Sequence, residues 1–321
     1  MQKDHQIITI AEKEYIGINP DTKKPGSKTW EWFPHQKPII NHLCAGLEAG
    51  AMPFDTAIYS CPKKGGKTGF AGAFGHAWAR SQGGEIYFVA NSDEQANDRS
   101  FQRIQNYLAH IENHKPQLYN RIVEKRTNDA IEYKNPYALL RPIPCSAASQ
   151  AGSYASLSIW DELWGYDQES SEILWSEFSP IPQLFGKSLR LVVTYAGHRA
   201  RSNLLWKLYL AGVDPSEHPE GQATSAGLLD AAGDLLPVYE NGAQLTYWDH
   251  IHRAPEITGA TPAFLAARKA DTSVRANDYE RLWHNNWTAG EEEYITAATI
   301  AQCKALGHKH LQGNMFSSFA A

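Results

Sequence analysis

The feature that most constrains this chain is a glycine-rich stretch at residues 60–68, which reads Ser-Cys-Pro-Lys-Lys-Gly-Gly-Lys-Thr. An apolar run at 57–59 precedes it and indicates a buried strand, and residues 69–79 carry apolar side chains at helical spacing. A strand, a loop that ends in Gly-Lys-Thr and a helix together are typical of a phosphate-binding loop. Backbone N–H groups of such a loop and of the helix start point at phosphate oxygens.

The loop predicts a nucleotide site that also holds Mg²⁺. Lys67 is expected to reach the β- and γ-phosphates, and the Thr68 hydroxyl to ligate the metal. Cys61 stands where the pattern G-x-x-x-x-G-K-[ST] usually has its first glycine. The alternative for the loop alone is a glycine-rich turn with a surface lysine. The expected nucleotide-binding residues of the loop are Cys61, Pro62, Lys63, Lys64, Gly65, Gly66, Lys67 and Thr68.

Gln36 is a candidate for reading an adenine base. It follows the aromatic cluster at 30–33 and lies about one strand upstream of the loop, where Pro34 is expected to start a helix. Its amide offers a donor and an acceptor together, which suits the N6/N7 edge of adenine. The alternative is an ordinary helix start with aromatic packing.

Two adjacent carboxylates form the second chemical motif. Asp161 and Glu162 follow an apolar strand at 156–160. Ligands of an open parallel sheet bind beyond the carboxyl ends of its strands. Asp161 is therefore expected to hold Mg²⁺, and Glu162 to act as the general base for the water that attacks the γ-phosphate. The alternative is a strand that ends in solvated acidic residues.

A third strand, at 189–193, ends at Thr194 and is followed by a turn at Gly197. A hydroxyl at that strand tip is a candidate sensor of the γ-phosphate. The alternative is a core strand with an incidental threonine.

Two strand–helix units in tandem predict an α/β fold with a parallel sheet flanked by helices. The chain of 321 residues divides by pattern into an N-terminal arm at 1–29, a core at 30–201 and a smaller, mainly helical lid at 202–321. Finer expectations are an edge strand at 6–10, turn chemistry at 19–27, a helix cap at 91–93, loop at Pro142 and Pro144, helix caps at Ser273 and Thr296, and a buried aromatic stripe of Tyr279, Leu282, Trp283 and Trp287.

Composition excludes several classes of protein. The net charge of −5 argues against a basic nucleic-acid binder as a whole, so such contacts must be local. The four cysteines form no C-x-x-C pair, which argues against structural zinc and a disulfide framework. The chain carries no signal-peptide core and no apolar stretch of membrane-spanning length, so a soluble, cytosolic protein is expected.

Taken together, these residues resemble the ATPase half of a tailed-phage terminase large subunit, the motor that packages DNA into a procapsid. The resemblance covers roughly residues 30–300. Lys63 stands where the family usually has arginine, so it can face a phosphate as a point charge but cannot fork to it. The matching stretches are residues 34–36, 62–68, 91–96, 161–162, 194–197 and 286–287.

The resemblance implies a P-loop NTPase of the ASCE, RecA-like type that uses ATP and Mg²⁺. It implies double-stranded viral DNA, a portal protein and a small terminase subunit as partners, a homo-oligomeric ring such as a pentamer, and the host cell cytoplasm as the location. A basic residue is expected to reach the ATP of the next subunit, with Arg141, Arg126 and Arg121 as candidates. The expected catalytic residues are Glu162, Lys67, Lys63, Thr194 and Arg141.

Two other functions stay open on the sequence. A helicase-like ATPase shares these motifs but normally needs a second RecA-like domain, and residues 202–321 do not repeat the strand–helix pattern or offer an evident second fold to close the site. A nucleotide-gated scaffold would not need Glu162. No nuclease activity is expected, because the 28 residues after Glu293 contain no Asp or Glu to hold two metal ions.

Overall fold

The computed structural model describes residues 4–17, 26, 29–91, 99–145, 154–166 and 169–289. Ten strands within these residues form one sheet, in the order β3-β4-β5-β2-β6-β7-β1-β10-β9-β8. The strands are β1 (Thr56–Ser60), β2 (Gly84–Ala90), β3 (Val123–Arg126), β4 (Ile131–Tyr133), β5 (Ala138–Pro144), β6 (Ala155–Asp161), β7 (Leu189–Thr194), β8 (Thr224–Ser225), β9 (Val238–Asn241) and β10 (Gln244–Trp248).

Helices cover both faces of the sheet, so the α/β class is confirmed. None of the described helices is both long and apolar enough to cross a membrane. The helices are α1 (Gln6–Glu14), α2 (Gln36–Leu43), α3 (Lys67–Ser81), α4 (Ser100–His114), α5 (Pro116–Ile122), α6 (Glu169–Glu177), α7 (Asn203–Gly212), α8 (Pro255–Thr258), α9 (Pro262–Ala270) and α10 (Ala276–His284), with single 3₁₀ turns at Leu47–Ala49, Leu163–Gly165 and Pro182–Leu184.

The parallel strands bring the predicted motifs to one edge of the sheet. Strands β5, β2, β6, β7, β1 and β10 run parallel, and the described strands outside them are antiparallel. Strand β7 lies between β1 and β6, with Thr194 opposite Ser60 and Val193 opposite Asp161. The glycine-rich loop, the acidic pair and the Thr194 turn therefore leave three neighbouring strands at their carboxyl ends.

The predicted edge strand at 6–10 is wrong, because these residues begin helix α1. Ile7, Ile8, Ala11 and Tyr15 are all buried, and this spacing is helical rather than alternating. The side chain of His5 caps the helix, since its Nδ1 accepts the Ile7 N–H at 3.2 Å. Helix α1 then packs on α3 and covers the helix that follows the glycine-rich loop.

The expected loop at Pro142 and Pro144 is also wrong, because both prolines lie in β5. Strand β4 pairs with β5 only as far as Leu140, so beyond that residue no described strand pairs with this edge of β5. A proline lacks the N–H that a ladder needs and is tolerated on such an edge. The other edge of β5 is paired with β2 along its whole length.

The sheet continues past residue 201, where the sequence placed a boundary. Strand β10 pairs with β1 along its whole length, and β9 and β8 follow it. This long-range pairing makes the C-terminal segment part of the layer that carries the loop.

Several finer expectations have mixed outcomes. Tyr279 and Trp283 are buried, so the aromatic stripe is core there. Ser273 is not a helix cap, because α10 has Arg275 at its N-cap. Thr296 lies outside the described residues, as do most of the predicted cap at 91–93 and the turn at 19–27.

Candidate functional site

The glycine-rich loop has the tight backbone that its sequence predicts. Gly66 has φ 85° and caps the N-terminus of α3, in the left-handed region that favours glycine. A Cβ there would lie 2.9 Å from the Phe33 ring, and one at Gly65 would lie 2.5 Å from Cys61 Sγ. Larger side chains at these two positions would therefore clash with the packing that shapes the loop.

Lys67 lies inside the curve of this loop. Its Nζ donates hydrogen bonds to the carbonyl oxygens of Cys61 at 3.0 Å and Pro62 at 3.1 Å. The same ammonium group lies 4.8 Å from the centre of the Tyr195 ring. Its present acceptors are neutral carbonyls, and phosphate oxygens would be stronger, charged acceptors.

A cleft of about 500 Å³ opens beside the loop. Among the described residues its lining has five cationic side chains and one carboxylate, so it favours an anion. A cleft of about 800 Å³ between α2 and the 227–231 segment contains none of the predicted site residues. The smaller cleft is therefore the candidate functional site. Its lining residues are Lys63, Lys64, Gly66, Lys67, Thr68, Gly69, Arg99, Arg103, Glu162 and Tyr195.

Arg99 and Arg103 also line the cleft, and no sequence motif indicated them. Arg99 caps α4, the helix that follows β2, and Arg103 lies one turn further along. Arginines at the start of a helix that follows a parallel strand are the only local signal that points to the carboxyl edge of the sheet.

Asp161 has two oxygens in unlike surroundings. Oδ2 accepts a hydrogen bond from Ser100 Oγ at 2.6 Å, whereas Oδ1 is buried and has no hydrogen-bond partner in the described part of the chain. Burial raises the pKa of the Asp161 carboxyl, and the Ser100 hydrogen bond and the charges of Arg99 and Lys67 oppose that rise. A buried carboxylate oxygen without a donor is an environment that a cation would relieve.

Thr68 and Asp161 are the residues that could hold a Mg²⁺ ion here, although Asp161 itself does not line the cleft. Thr68 lines the cleft in the first turn of α3, and Asp161 supplies the unpaired oxygen. Within the described residues no group of three or more His, Cys, Asp or Glu side chains could hold a metal ion. Mg²⁺ commonly uses one or two protein oxygens together with substrate phosphates and waters, which is the type of site that these two residues can form.

Glu162 occupies a left-handed backbone conformation with φ 60° directly after β6. Its N–H donates to Val193 O at 2.8 Å, and its Oε2 accepts a hydrogen bond from Trp164 Nε1 at 2.5 Å. Burial raises the pKa of the Glu162 carboxyl, Lys67 opposes the rise and Asp161 adds to it. A raised pKa makes Glu162 a better proton acceptor than an ordinary surface carboxylate.

Thr194 is fully buried and does not line the cleft. Its hydroxyl donates to Tyr195 O at 3.0 Å and accepts the Trp164 N–H at 3.3 Å. The structure therefore connects Thr194 to the turn that carries Glu162. A direct role for Thr194 in sensing phosphate stays a prediction.

Gln36 begins α2 and is buried, with both ends of its amide engaged inside the protein. Nε2 donates to Tyr59 OH at 3.0 Å, and Oε1 accepts the Phe33 N–H at 3.0 Å. It does not line the cleft. Reading an adenine would require Gln36 to exchange these partners.

The three candidate trans-acting arginines all lie away from the cleft lining. Arg141 is an exposed residue of β5, and Arg121 is exposed on α5. Arg126 forms an ion pair with Glu112 and donates to Gln105 O at 3.2 Å. Arg141 and Arg121 thus keep the freer side chains.

Helix α10 and the residue that ends it contact the site, which the sequence did not indicate. The Lys63 N–H in the loop donates to Leu282 O at 2.6 Å. Asn285 is fully buried, and its side chain accepts the Ala196 N–H at 2.6 Å, donates to Asp249 O at 2.9 Å and bonds Ser60 Oγ. The C-terminal segment therefore closes on the loop within the same chain.

Comparison with solved structures identifies the fold. The large terminase of bacteriophage HK97 matches with a TM-score of 0.60 at 16% identity, over 89% of this chain and 56% of that protein. The ATPase domain of the Thermus phage P74-26 large terminase matches with a TM-score of 0.48 at 11% identity, over 80% of this chain and 100% of that domain. No family model and no curated protein matches the sequence. The HK97 match therefore shows that this chain shares the fold of part of a phage large terminase, and the chain spans 56% of the length of the HK97 protein.

Proposed function

We propose that this chain is an ATP-hydrolysing motor of viral DNA packaging, which couples ATP hydrolysis to the movement of double-stranded DNA into a procapsid. One observation carries the proposal: Lys67, Thr68 and Glu162 line a single cationic cleft, in a chain with the fold of a phage large terminase. Binding of a nucleotide would need only the loop, whereas the Glu162 carboxylate in the lining of the same cleft suits hydrolysis.

The residues of the cleft divide between binding and chemistry. Lys67 would release the carbonyl oxygens of Cys61 and Pro62 and bind the β- and γ-phosphates. Lys63, Arg99 and Arg103 would add positive charge around the phosphate oxygens.

Thr68 and Asp161 would hold Mg²⁺, which when bound neutralises charge on the β- and γ-phosphates. Glu162 would take a proton from a water molecule while the oxygen of that water bonds to the γ-phosphorus. The bond from that phosphorus to the bridging oxygen then breaks, and ADP and phosphate leave.

Coupling would use the neighbouring strand. The Thr194 hydroxyl bonds the Trp164 N–H, and the Trp164 indole bonds Glu162. A change at Glu162 on loss of the γ-phosphate would therefore reach the end of β7 through two hydrogen bonds.

We further propose that the active form is a homo-oligomeric ring, such as a pentamer, on a portal protein. Double-stranded viral DNA and a small terminase subunit would be the other partners, and the setting would be the host cell cytoplasm. Arg141 and Arg121 are the candidate trans-acting residues, because both are exposed and lie outside the cleft of their own chain. Gln36 would read adenine after it exchanges its present partners.

The test is the ATPase rate of the purified protein with Mg²⁺, with and without double-stranded DNA. We expect hydrolysis that DNA stimulates and no strand separation on a forked duplex. Lys67→Ala, which removes the phosphate-binding amine, should lower turnover at least about 100-fold. Strand separation would favour a helicase, nucleotide binding without turnover would favour a scaffold, and equal rates in Lys67→Ala would assign the activity to a contaminant.

A further inference from the structure

Arg281 of α10 is a buried cation that lies over two aromatic rings, Trp164 and Tyr195, near the candidate site. Only 6% of its surface is exposed. Its guanidinium carbon lies 4.4 Å from the centre of the Trp164 ring and 5.3 Å from that of Tyr195. Nη2 donates to Asp278 Oδ1 at 3.3 Å, whereas Nε and Nη1 are buried without a hydrogen-bond partner in the described residues. The Asp278 carboxylate and the two aromatic rings together stabilise this charge.

Trp164 connects this cation to Glu162. Its indole Nε1 donates to Glu162 Oε2 at 2.5 Å, and its ring stacks on Tyr195 with centroids 5.4 Å apart. Its backbone N–H donates to Thr194 Oγ1 at 3.3 Å. Arg281 thus lies over the indole ring and Tyr195 stacks on it, and the indole N–H in turn holds one oxygen of the carboxylate.

We propose that Arg281 is a positioning residue, which holds Trp164 and through it orients the Glu162 carboxylate for hydrolysis. The inference rests on the proposed ATPase function. Arg281 does not line the cleft, so its action is indirect. Loss of the planar cation frees the indole to tilt, and the carboxylate then loses its orientation toward the attacking water. A displacement of about 1 Å at a reacting group can lower a rate about 100-fold.

Substitutions of Arg281 can separate the effect of its charge from the effect of its planar shape. The charged groups that face Glu162 are Lys67, Asp161 and Arg99, while the Arg281 guanidinium contacts rings rather than the carboxylate. Lysine keeps the charge of arginine but lacks the planar group that stacks on a ring. Arg281→Lys should therefore retain only part of the wild-type rate, and Arg281→Met, with neither charge nor plane, should retain less.

The experiment measures kcat and KM for ATP in the full chain with Mg²⁺. The variants are Arg281→Met, Arg281→Lys, Trp164→Phe and the double variant Arg281→Met/Trp164→Phe. Trp164→Phe keeps an aromatic ring for Arg281 and removes the N–H that bonds Glu162, together with the five-membered ring that carries it. Arg268→Met is the matched control, because Arg268 contacts the Phe264 ring at 5.8 Å and pairs with Asp271 at 3.2 Å, away from the cleft.

We expect Arg281→Met and Trp164→Phe each to lower kcat about 10- to 100-fold, with KM within about threefold of wild type. The double variant should fall within about threefold of the slower single variant, because both changes break one connection. Arg268→Met should keep the wild-type kcat.

Three results would overturn the inference while the wild type still hydrolyses ATP. They are a folded Arg281→Met with kcat within twofold of wild type, a raised KM with kcat preserved, and a double variant whose loss is the product of the single losses. If Arg281→Met does not fold, a wild-type kcat in Trp164→Phe overturns it. A wild type without ATPase activity would instead contradict the proposed function itself, and the inference with it.

Discussion

At the scale of one residue, the surroundings of Asp161 support the proposed Mg²⁺ site. Ser100 satisfies one carboxylate oxygen and leaves the other buried and unpaired. Ser100→Ala removes the donor that orients the carboxylate. We expect it to raise the Mg²⁺ concentration for half-maximal ATPase activity about tenfold, since changes to such supporting groups typically weaken metal affinity 10- to 100-fold.

Ser171→Ala is the matched control for this titration. Ser171 is equally buried, on α6, and its hydroxyl has no hydrogen-bond partner in the described part of the chain. An unchanged Mg²⁺ requirement in Ser100→Ala, or an equal shift in both variants, would contradict the role given to Asp161.

Glu14 links the N-terminal helix to α3 and makes stability depend on pH. Burial would raise the pKa of its carboxyl, but the neighbouring His76 and Arg80 lower it to about 2. Arg80 Nε donates to it at 2.9 Å, whereas His76 Nε2 lies 3.7 Å away, beyond a hydrogen bond, so Arg80 is the main partner. A folded pKa below the ordinary value means that the carboxylate stabilises the fold above about pH 4.5 and that this contribution is lost as the pH falls toward 2.

Glu14→Gln should therefore lower the free energy of unfolding by about 1–3 kcal/mol at pH 7. Below pH 5 the free energy of unfolding of the variant should fall less steeply with pH than that of wild type. Urea unfolding at several pH values measures both effects. Glu12→Gln on the same helix is the control, because its pair with Lys37 is more exposed and should contribute less than about 1 kcal/mol. Equal losses in the two variants would contradict the account.

At the scale of elements, Asn285 fastens the end of α10 to three neighbouring strands. Its side chain bonds Ser60 at the end of β1, Ala196 after β7 and Asp249 after β10, and its own φ is 55°. Asn285→Ala leaves buried polar groups unpaired and also strains the backbone. We expect a loss of about 2–4 kcal/mol in the free energy of unfolding, measured by denaturant.

Asn285→Gly separates the two causes, because glycine adopts the positive φ without strain. It should remain within about 1 kcal/mol of Asn285→Ala, since both variants lose the same hydrogen bonds. Wild-type stability in Asn285→Gly would show that only the backbone conformation matters.

The elements that sequence predicts well are those whose signal is local. The strand, loop and helix around Lys67 agree with their pattern, because apolar period and glycine positions lie within a few turns. The predicted strand at 6–10 was wrong. The isoleucines there suit a strand, but Ala11 and Tyr15 beyond them complete the buried face of a helix. The predicted loop at Pro142 and Pro144 was wrong as well. A proline can lie in a strand whose edge is unpaired, and only the pairing of β5 with β4 and β2 shows where that edge is.

At the scale of the whole molecule, the topology of the sheet explains which site residues sequence could find. Lys67, Thr68 and Glu162 follow parallel strands. Since ligands bind beyond the carboxyl ends of such strands, the sequence alone places these residues together. Arg281 and Asn285 reach the same edge from a helix beyond β10, through contacts that no local pattern encodes. The same pairing of β10 with β1 joins the C-terminal segment to the loop-bearing core.

The measurement that tests the central claim most directly is the fate of ATP bound to Glu162→Gln. Glutamine keeps the shape of the side chain and removes the base, so the variant should bind ATP with nearly wild-type affinity and hydrolyse it about 10²- to 10⁴-fold more slowly. Glu169→Gln, an exposed change at the start of α6, should behave as wild type. Chromatography of the protein-bound nucleotide in a single turnover should recover ADP from wild type and ATP from Glu162→Gln. Recovery of ADP from Glu162→Gln at the wild-type rate would contradict the account.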